Sequence, residues 1–317
     1  MTLILTRASQ KYVLQVTDRL VTEKKSRKPF EEVANKNILY CARNGIATIG
    51  YTGHAIIGGV TTDQWIVEKM TGVSFSRNRK LPAIRNVTFP WIDIGQCLRI
   101  LKEKLDNAQE DIHPSLKKDW IASTFDVSVA GWQWDKKGRS KPFMASCSKP
   151  ENSGSFELTY IPRTDLTRGK FNLCAAPAVN ISKSRLRKLK DDISSRSIDE
   201  TERLMVETIR EISTQVPEVG PNCMSIFISP PSVGRVRTRY VPVTSTNAIA
   251  ATETGELHLT VAFSPWVIGQ NVIVAPSLIS GHGISVPLGQ CPYNIDLEAP
   301  VNPQIKAILS SQQRRTR

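Results

Sequence analysis

A hydroxyl, a carboxylate, an ammonium and a glycine lie along the early part of this chain at spacings that suit acyl-bond cleavage. Thr2 follows Met1, and an initiator methionine is removed most readily before a small residue. A chain starting at Thr2 carries both halves of a catalyst: a hydroxyl nucleophile, and an α-amine whose pKa near ~8 suits a general base. If the chain reverses near residues 9–10, opposed positions sum to about 19–20, and Thr2 faces Thr17 or Asp18. Lys36 stands where the next strand begins. A lysine–aspartate pair beside a hydroxyl stabilises the developing alkoxide and fixes its rotamer. Gly53, at the end of Gly50-Tyr51-Thr52-Gly53, offers an N–H to an oxyanion. Each residue also has a plainer role: Asp18 as a turn cap, Lys36 as a solvated strand-end charge, the glycines as tight-turn residues. His54 reads as a packed histidine rather than a catalytic one.

The elements that must position these residues are legible as patterns. Leu3 to Thr6 and Tyr12 to Val16 form a hairpin around Ala8-Ser9-Gln10-Lys11. Asn37 to Ala42 and Ile46 to Tyr51 form a second one around Arg43-Asn44-Gly45. Apolar residues on both pleat faces imply a sheet covered on both sides. A capped helix is predicted from Gln64 to Met70, ended by Gly72, and an amphipathic one from Ile94 to Ala108. Strands follow at 120–134, 143–147, 156–161 and 171–175. Helices at 182–194 and 198–214 precede strands at 223–228 and 236–241. This order lacks regular βαβ alternation, so the fold class is α+β with a mainly antiparallel sheet system. After about Val243 the chain turns rich in Ser, Thr, Pro and Gly, with short β runs and one short helix at Pro303 to Ser311. The expected domains are therefore 1–242 and a β-rich extension, 243–317, with a basic tail.

The 317 residues carry 42 Lys+Arg against 29 Asp+Glu, a net charge of +13. The excess sits in short clusters without interleaved aromatics, so it reads as solvated loops and helix faces; no nucleic-acid partner is expected. No apolar run approaches the ~20 residues of a membrane-spanning helix, and the N-terminal apolar stretch is too short for a secretory signal. A cytoplasmic protein without a membrane partner is expected. The six cysteines and four histidines are scattered, with no spacing suited to a metal or a disulfide framework, so each cysteine reads as a reduced, small hydrophobe. No cofactor or metal is expected.

In order and strand placement, these segments resemble the N-terminal nucleophile hydrolases, specifically proteasome β-type subunits and their bacterial relatives. In that family a Thr starts the first strand, an Asp ends the second, a Lys starts the third, and a Gly after the fourth supplies the oxyanion hole. The matching stretches here are Thr2 to Leu5, Thr17-Asp18-Arg19-Leu20-Val21-Thr22, Asn35-Lys36-Asn37-Ile38-Leu39 and Gly50 to Gly53. Val219 to Ile226 looks like the strand after the family's long helix. The resemblance covers roughly residues 2–242. It implies a four-layer αββα sandwich, an amide or peptide substrate, and a homo-oligomer. It also implies that Thr2 is the nucleophile, Lys36 held by Asp18 its stabiliser, and Gly53 the oxyanion donor. The chain departs from the pattern at Ala175-Ala176-Pro177-Ala178, where the family carries a serine. It departs again before Cys223, where the nearest candidates to support the amine are Ser213, Glu218 and Asn222. The expected function is a threonine hydrolase active after removal of Met1. The alternative is an inactive proteasome-like fold serving as a binding or assembly subunit.

Overall fold

The computed structural model describes residues 2–22, 29–31, 34–75, 84–162, 170–175, 197–243, 264–276 and 291–298, with 166, 181, 184, 187, 189, 250–251, 257–258 and 284–286. It is a mixed α+β fold. Strands β1 (Leu3–Ala8) and β2 (Val13–Asp18) form the first hairpin. Its register differs from expectation: Ile4 faces Thr17, so opposed positions sum to 21 and Leu3 comes level with Asp18. The reason lies in the turn. The Ser9 N–H and hydroxyl both donate to the Tyr12 carbonyl, and the Ser9 Oγ accepts from the Lys11 and Tyr12 amides, which moves the reversal point toward Lys11. The second hairpin, β3 (Asn37–Ala42) and β4 (Gly45–Thr52), reverses at Arg43-Asn44 and sets Asn37 opposite Gly50.

The remaining main strands are β5 (Ile84–Asn86), β6 (Phe125–Trp134), β7 (Ser140–Lys149), β8 (Glu157–Tyr160), β9 (Lys170–Ala175), β10 (Cys223–Ile228), β11 (Arg235–Val241), β12 (Trp266–Gly269), β13 (Val272–Val274), β14 (Ile284–Val286) and β15 (Asn294–Glu298). One sheet runs β9-β1-β2-β10-β11-β15-β14, the other β8-β7-β6-β4-β3-β12-β13-β5. All pairings within them are antiparallel except two. Those two, β11 with β15 and β3 with β12, attach strands that follow residue 243 to the early framework.

Helix α1 (Thr62–Thr71) ends where Gly72 turns left-handed at φ 73° and donates its N–H to the Glu68 carbonyl. Helix α2 (Ile94–Asp106) starts at Asp93, whose amide donates to the Gln96 side chain and whose carboxylate takes a two-pronged bond from Arg43. Helix α3 (Lys117–Ala122) takes in 120–122, the start of the strand predicted at 120–134. Trp120 is buried there against Phe125 and Phe156, and the strand begins only at Phe125. Helix α4 (Ile198–Ser213) opens with a reciprocal Ser197–Glu200 cap. The helix predicted at 182–194 lies mostly outside the described residues, and that at Pro303 to Ser311 entirely so.

Three apolar clusters hold these elements. Residues of α1, α2 and α3 pack on one face of the second sheet. Inward residues of both sheets meet in a second cluster. Leu204, Met205 and Ile209 of α4 pack on Leu3, Leu5, Leu14 and Val16 of the first sheet. Both sheets are thus covered on each side, as the hairpin pattern implied. Among the described residues, no helix is long and apolar enough to cross a membrane.

The reading of every cysteine as reduced is overturned at one pair. Cys41 and Cys291 form a disulfide with Cα atoms 6.5 Å apart. Sequence spacing could not reveal a partner 250 residues away that only the sheet topology brings near. Such bonds are usual in oxidising compartments. Cys97, Cys147 and Cys223 are free and buried.

Candidate active site

The ends of β1, β2, β3 and β10 converge on one buried carboxylate. Asp18 closes β2 and is fully buried. Its Oδ1 accepts the Leu3 N–H at 2.7 Å. Its Oδ2 accepts the Leu20 N–H, the Gly220 N–H and the Lys36 ammonium, each at 3.1 Å. Three backbone amides and one cation therefore compensate a charge that would otherwise be costly to bury. Glycine is required at 220 for that approach, because a Cβ there would lie 2.4 Å from the Leu20 Cβ.

Lys36 is buried with only 2% of its side chain exposed, and it also donates to the Leu20 carbonyl. Its backbone is anchored on both sides. The Ala34 N–H donates to the Arg19 carbonyl, the Arg19 Nε donates back to the Ala34 carbonyl, and the Tyr51 hydroxyl donates to the Asn35 carbonyl. The Arg19 guanidinium lies 4.8 Å from the centre of the Tyr240 ring.

Thr2 is 4% exposed. Strand alternation carried back from Thr6 and Ala8 places it on the inter-sheet face, one residue before the Leu3 amide that binds Asp18. Met1 lies outside the described residues. Gly53 follows β4 with φ 109°, and a Cβ there would lie 2.9 Å from the Phe125 ring and 3.0 Å from the Thr124 carbonyl oxygen. Both the backbone angle and the space demand glycine. The structure thus joins Asp18 to Lys36 directly and puts Gly53 at the end of the strand whose Tyr51 bonds the residue before Lys36.

Other residues fall elsewhere. His54 Nε2 is 2.7 Å from the Ser123 Oγ, and its ring is 4.9 Å from that of Trp120, which is a packed histidine. The Ser213 hydroxyl donates to the Arg210 carbonyl, and the Asn222 Oδ1 accepts the Val243 N–H. Ala176 to Ala178 lie outside the described residues. Cys223 faces Asp18 across the sheet. Burial first, and the Asp18 carboxylate second, push its thiol above the usual range, which disfavours the thiolate.

Sequence reasoning missed a second polar group between the sheets. Thr17 Oγ1 donates to Asn37 Oδ1, and Asn37 Nδ2 donates to Gln15 Oε1 at 2.9 Å. The Thr48 hydroxyl donates to the same Gln15 oxygen at 2.8 Å, and Gln15 Nε2 donates to the Thr6 hydroxyl at 3.1 Å. Thr6 in turn meets Ser128 at 3.2 Å. The signal was present: Gln15 and Thr17 alternate with Leu14 and Val16, a polar inward face on a strand buried on both sides.

No protein-family profile matches the chain, and no curated protein sequence matches it. Among solved structures it is similar to the helical assembly of the Anbu complex from Pseudomonas aeruginosa, at 13% identity and TM-score 0.48 over 78% of this chain and 88% of that one. It is also similar to a Gly-1 mutant of Anbu from Hyphomicrobium sp. strain MC1, at 10% identity and TM-score 0.47 over 78% and 89% of the two chains. A third similar structure is Anbu (ancestral beta-subunit) from Yersinia bercovieri, at 8% identity and TM-score 0.43 over 72% and 81%.

Proposed function

We propose that this chain is an N-terminal threonine hydrolase that cleaves an amide or peptide bond once Met1 is removed. The observation that carries the reading is the buried Asp18–Lys36 pair, 3.1 Å apart, whose carboxylate also binds the amide next to Thr2. In this mechanism the Thr2 Oγ attacks the substrate carbonyl carbon, and its proton passes through water to the Thr2 amine. Lys36, oriented by Asp18, stabilises the alkoxide, and the Gly53 N–H receives the oxyanion. The C–N bond breaks as the leaving amine takes the proton. Water then attacks the resulting ester, releasing the acid and restoring the hydroxyl. We read the three packing clusters as the interfaces of a four-layer αββα sandwich. Residues 243–317 form an extension, four of whose described strands, β12 to β15, add to the two main sheets.

The test is covalent labelling. Protein lacking Met1, verified by intact mass, is expected to react with a β-lactone or epoxyketone at Thr2, and Thr2→Ala to abolish the adduct. Unchanged labelling in Thr2→Ala would count against the mechanism. One observation favours the second reading, an inactive binding or assembly subunit: Ser213, one of the three nearest candidates to support the amine, donates its hydroxyl to its own helix at the Arg210 carbonyl. An unreactive Thr2 in a chain shown to start there would decide for it.

A further inference from the structure

The turn that carries Lys36 is tied to a second buried group that the proposed reaction does not use. Asn35 Nδ2 donates to the Asn37 carbonyl at 3.0 Å and to Asp63 Oδ2 at 2.9 Å. Asp63 belongs to the first turn of α1 and is 3% exposed. The same Oδ2 accepts the indole N–H of Trp266 at 2.8 Å. Trp266 opens β12, beside Ile38 of β3, and its ring centre is 5.0 Å from that of Phe75. A tryptophan from the C-terminal region, a carboxyl from α1 and the asparagine before Lys36 therefore form one chain of hydrogen bonds. Asn35 Oδ1 is buried without a hydrogen-bond partner, whereas the Asp63 carboxyl also accepts from the Thr61 side chain and the Gln64 amide of its own helix start. The Asn35 side chain is thus held through its nitrogen alone, and Asp63 is what fixes it toward α1. Burial raises the Asp63 carboxyl above the usual carboxylate range, so it keeps its place by the donors around it rather than by a counter-ion.

We propose that Trp266 and Asp63 are positioning residues for Lys36: the indole fixes the carboxyl, the carboxyl fixes Asn35, and Asn35 sets the backbone from which Lys36 reaches Asp18. The region after residue 243 then tunes the candidate site through Trp266. As a role in catalysis this rests on the threonine-hydrolase reading; as a statement about Lys36 geometry it does not.

Two readouts keep these apart. The first is the Lys36 side-chain signal in protein carrying 13Cε-labelled lysine, assigned by its loss in Lys36→Arg. The second is the rate and pH profile of Thr2 labelling. Trp266→Phe keeps the ring and loses the donor, and Asp63→Asn keeps the shape and an acceptor oxygen. Trp91→Phe, which loses an indole bond to the Cys41 carbonyl, controls for the loss of an indole bond elsewhere. Both site variants are expected to shift the Lys36 signal, slow labelling about tenfold, as the loss of a hydrogen bond to a carboxyl would, and displace its pH profile. Trp91→Phe is expected to leave all three unchanged. An unmoved Lys36 signal in folded Trp266→Phe and Asp63→Asn would overturn the positioning role. A shifted signal in a protein whose wild type never labels at Thr2 would uphold the positioning and overturn the hydrolase.

Discussion

Along the inward face of four central strands, residues change character from one end to the other. β2 runs Thr17, Gln15, Val13; β3 runs Asn37, Leu39, Cys41; β4 runs Gly50, Thr48, Ile46; and β6 runs Ser128, Ala130, Trp132. The first-named end holds the hydrogen-bonded side chains and lies beside the Asp18–Lys36 pair. The other end is an apolar cluster with Ile228 and Val267. Apolar packing is non-directional, and neighbours relax partly into a lost methyl group. A buried polar group accepts no such compromise, since deleting its partner leaves it unsatisfied. The same layer is thus adaptable at one end and geometrically fixed at the other, which suits a site whose groups must hold their spacing.

Removing the Asp18 carboxylate is the harshest way to break this contrast. Asp18→Ala strands the Lys36 ammonium and three amides, and is expected to cost about 3–5 kcal/mol in urea unfolding. The double variant Asp18→Leu with Lys36→Met removes both charges but leaves the three amides unpaired, so it should recover only the share due to the stranded ammonium, whatever becomes of Thr2 reactivity. Next comes the covalent tie at the apolar end. Serine at both Cys41 and Cys291, or a reductant, should lower stability by about 2–4 kcal/mol, seen as a fall in Tm, with Thr2 labelling unaffected. The finest comparison sets one end against the other. Gln15→Leu leaves Thr48, Asn37 and Thr6 without their shared partner and should cost about 1–3 kcal/mol. Ile228→Val, opposite Val13 at the other end, should cost only about 0.5–1.5 kcal/mol. Equal losses at the two positions would remove the distinction.

Local chemistry made much of this legible. The Asn44-Gly45 reversal, the Gly72 stop and the helical spacing of Ile94, Cys97, Leu98, Leu101 and Leu105 each depend on residues a few positions apart. What failed depends on more distant partners. The first hairpin's register follows the Ser9–Tyr12 bonds. Trp120 turned helical because Phe125 and Phe156 bury it. The Gln15 network joins strands up to 122 residues apart, as Thr6 to Ser128, and the Cys41 bond spans the whole fold. For the candidate site, Asp18 and Lys36 could be named from their place at strand ends. Gly220, Asp63 and Trp266 could not, because only the assembled sheets bring them to those two residues.

The bond between Cys41 and Cys291 also imposes a schedule on biosynthesis. With 250 residues separating the two thiols, translation at roughly 5–20 residues per second leaves the earlier one waiting about 12–50 s for its partner. During that interval β3 has no β12 beside it, so a nascent chain carries an open flank and a reactive sulfur together. Molecules that meet on the ribosome in that window would find each other's flank before their own last strands arrive.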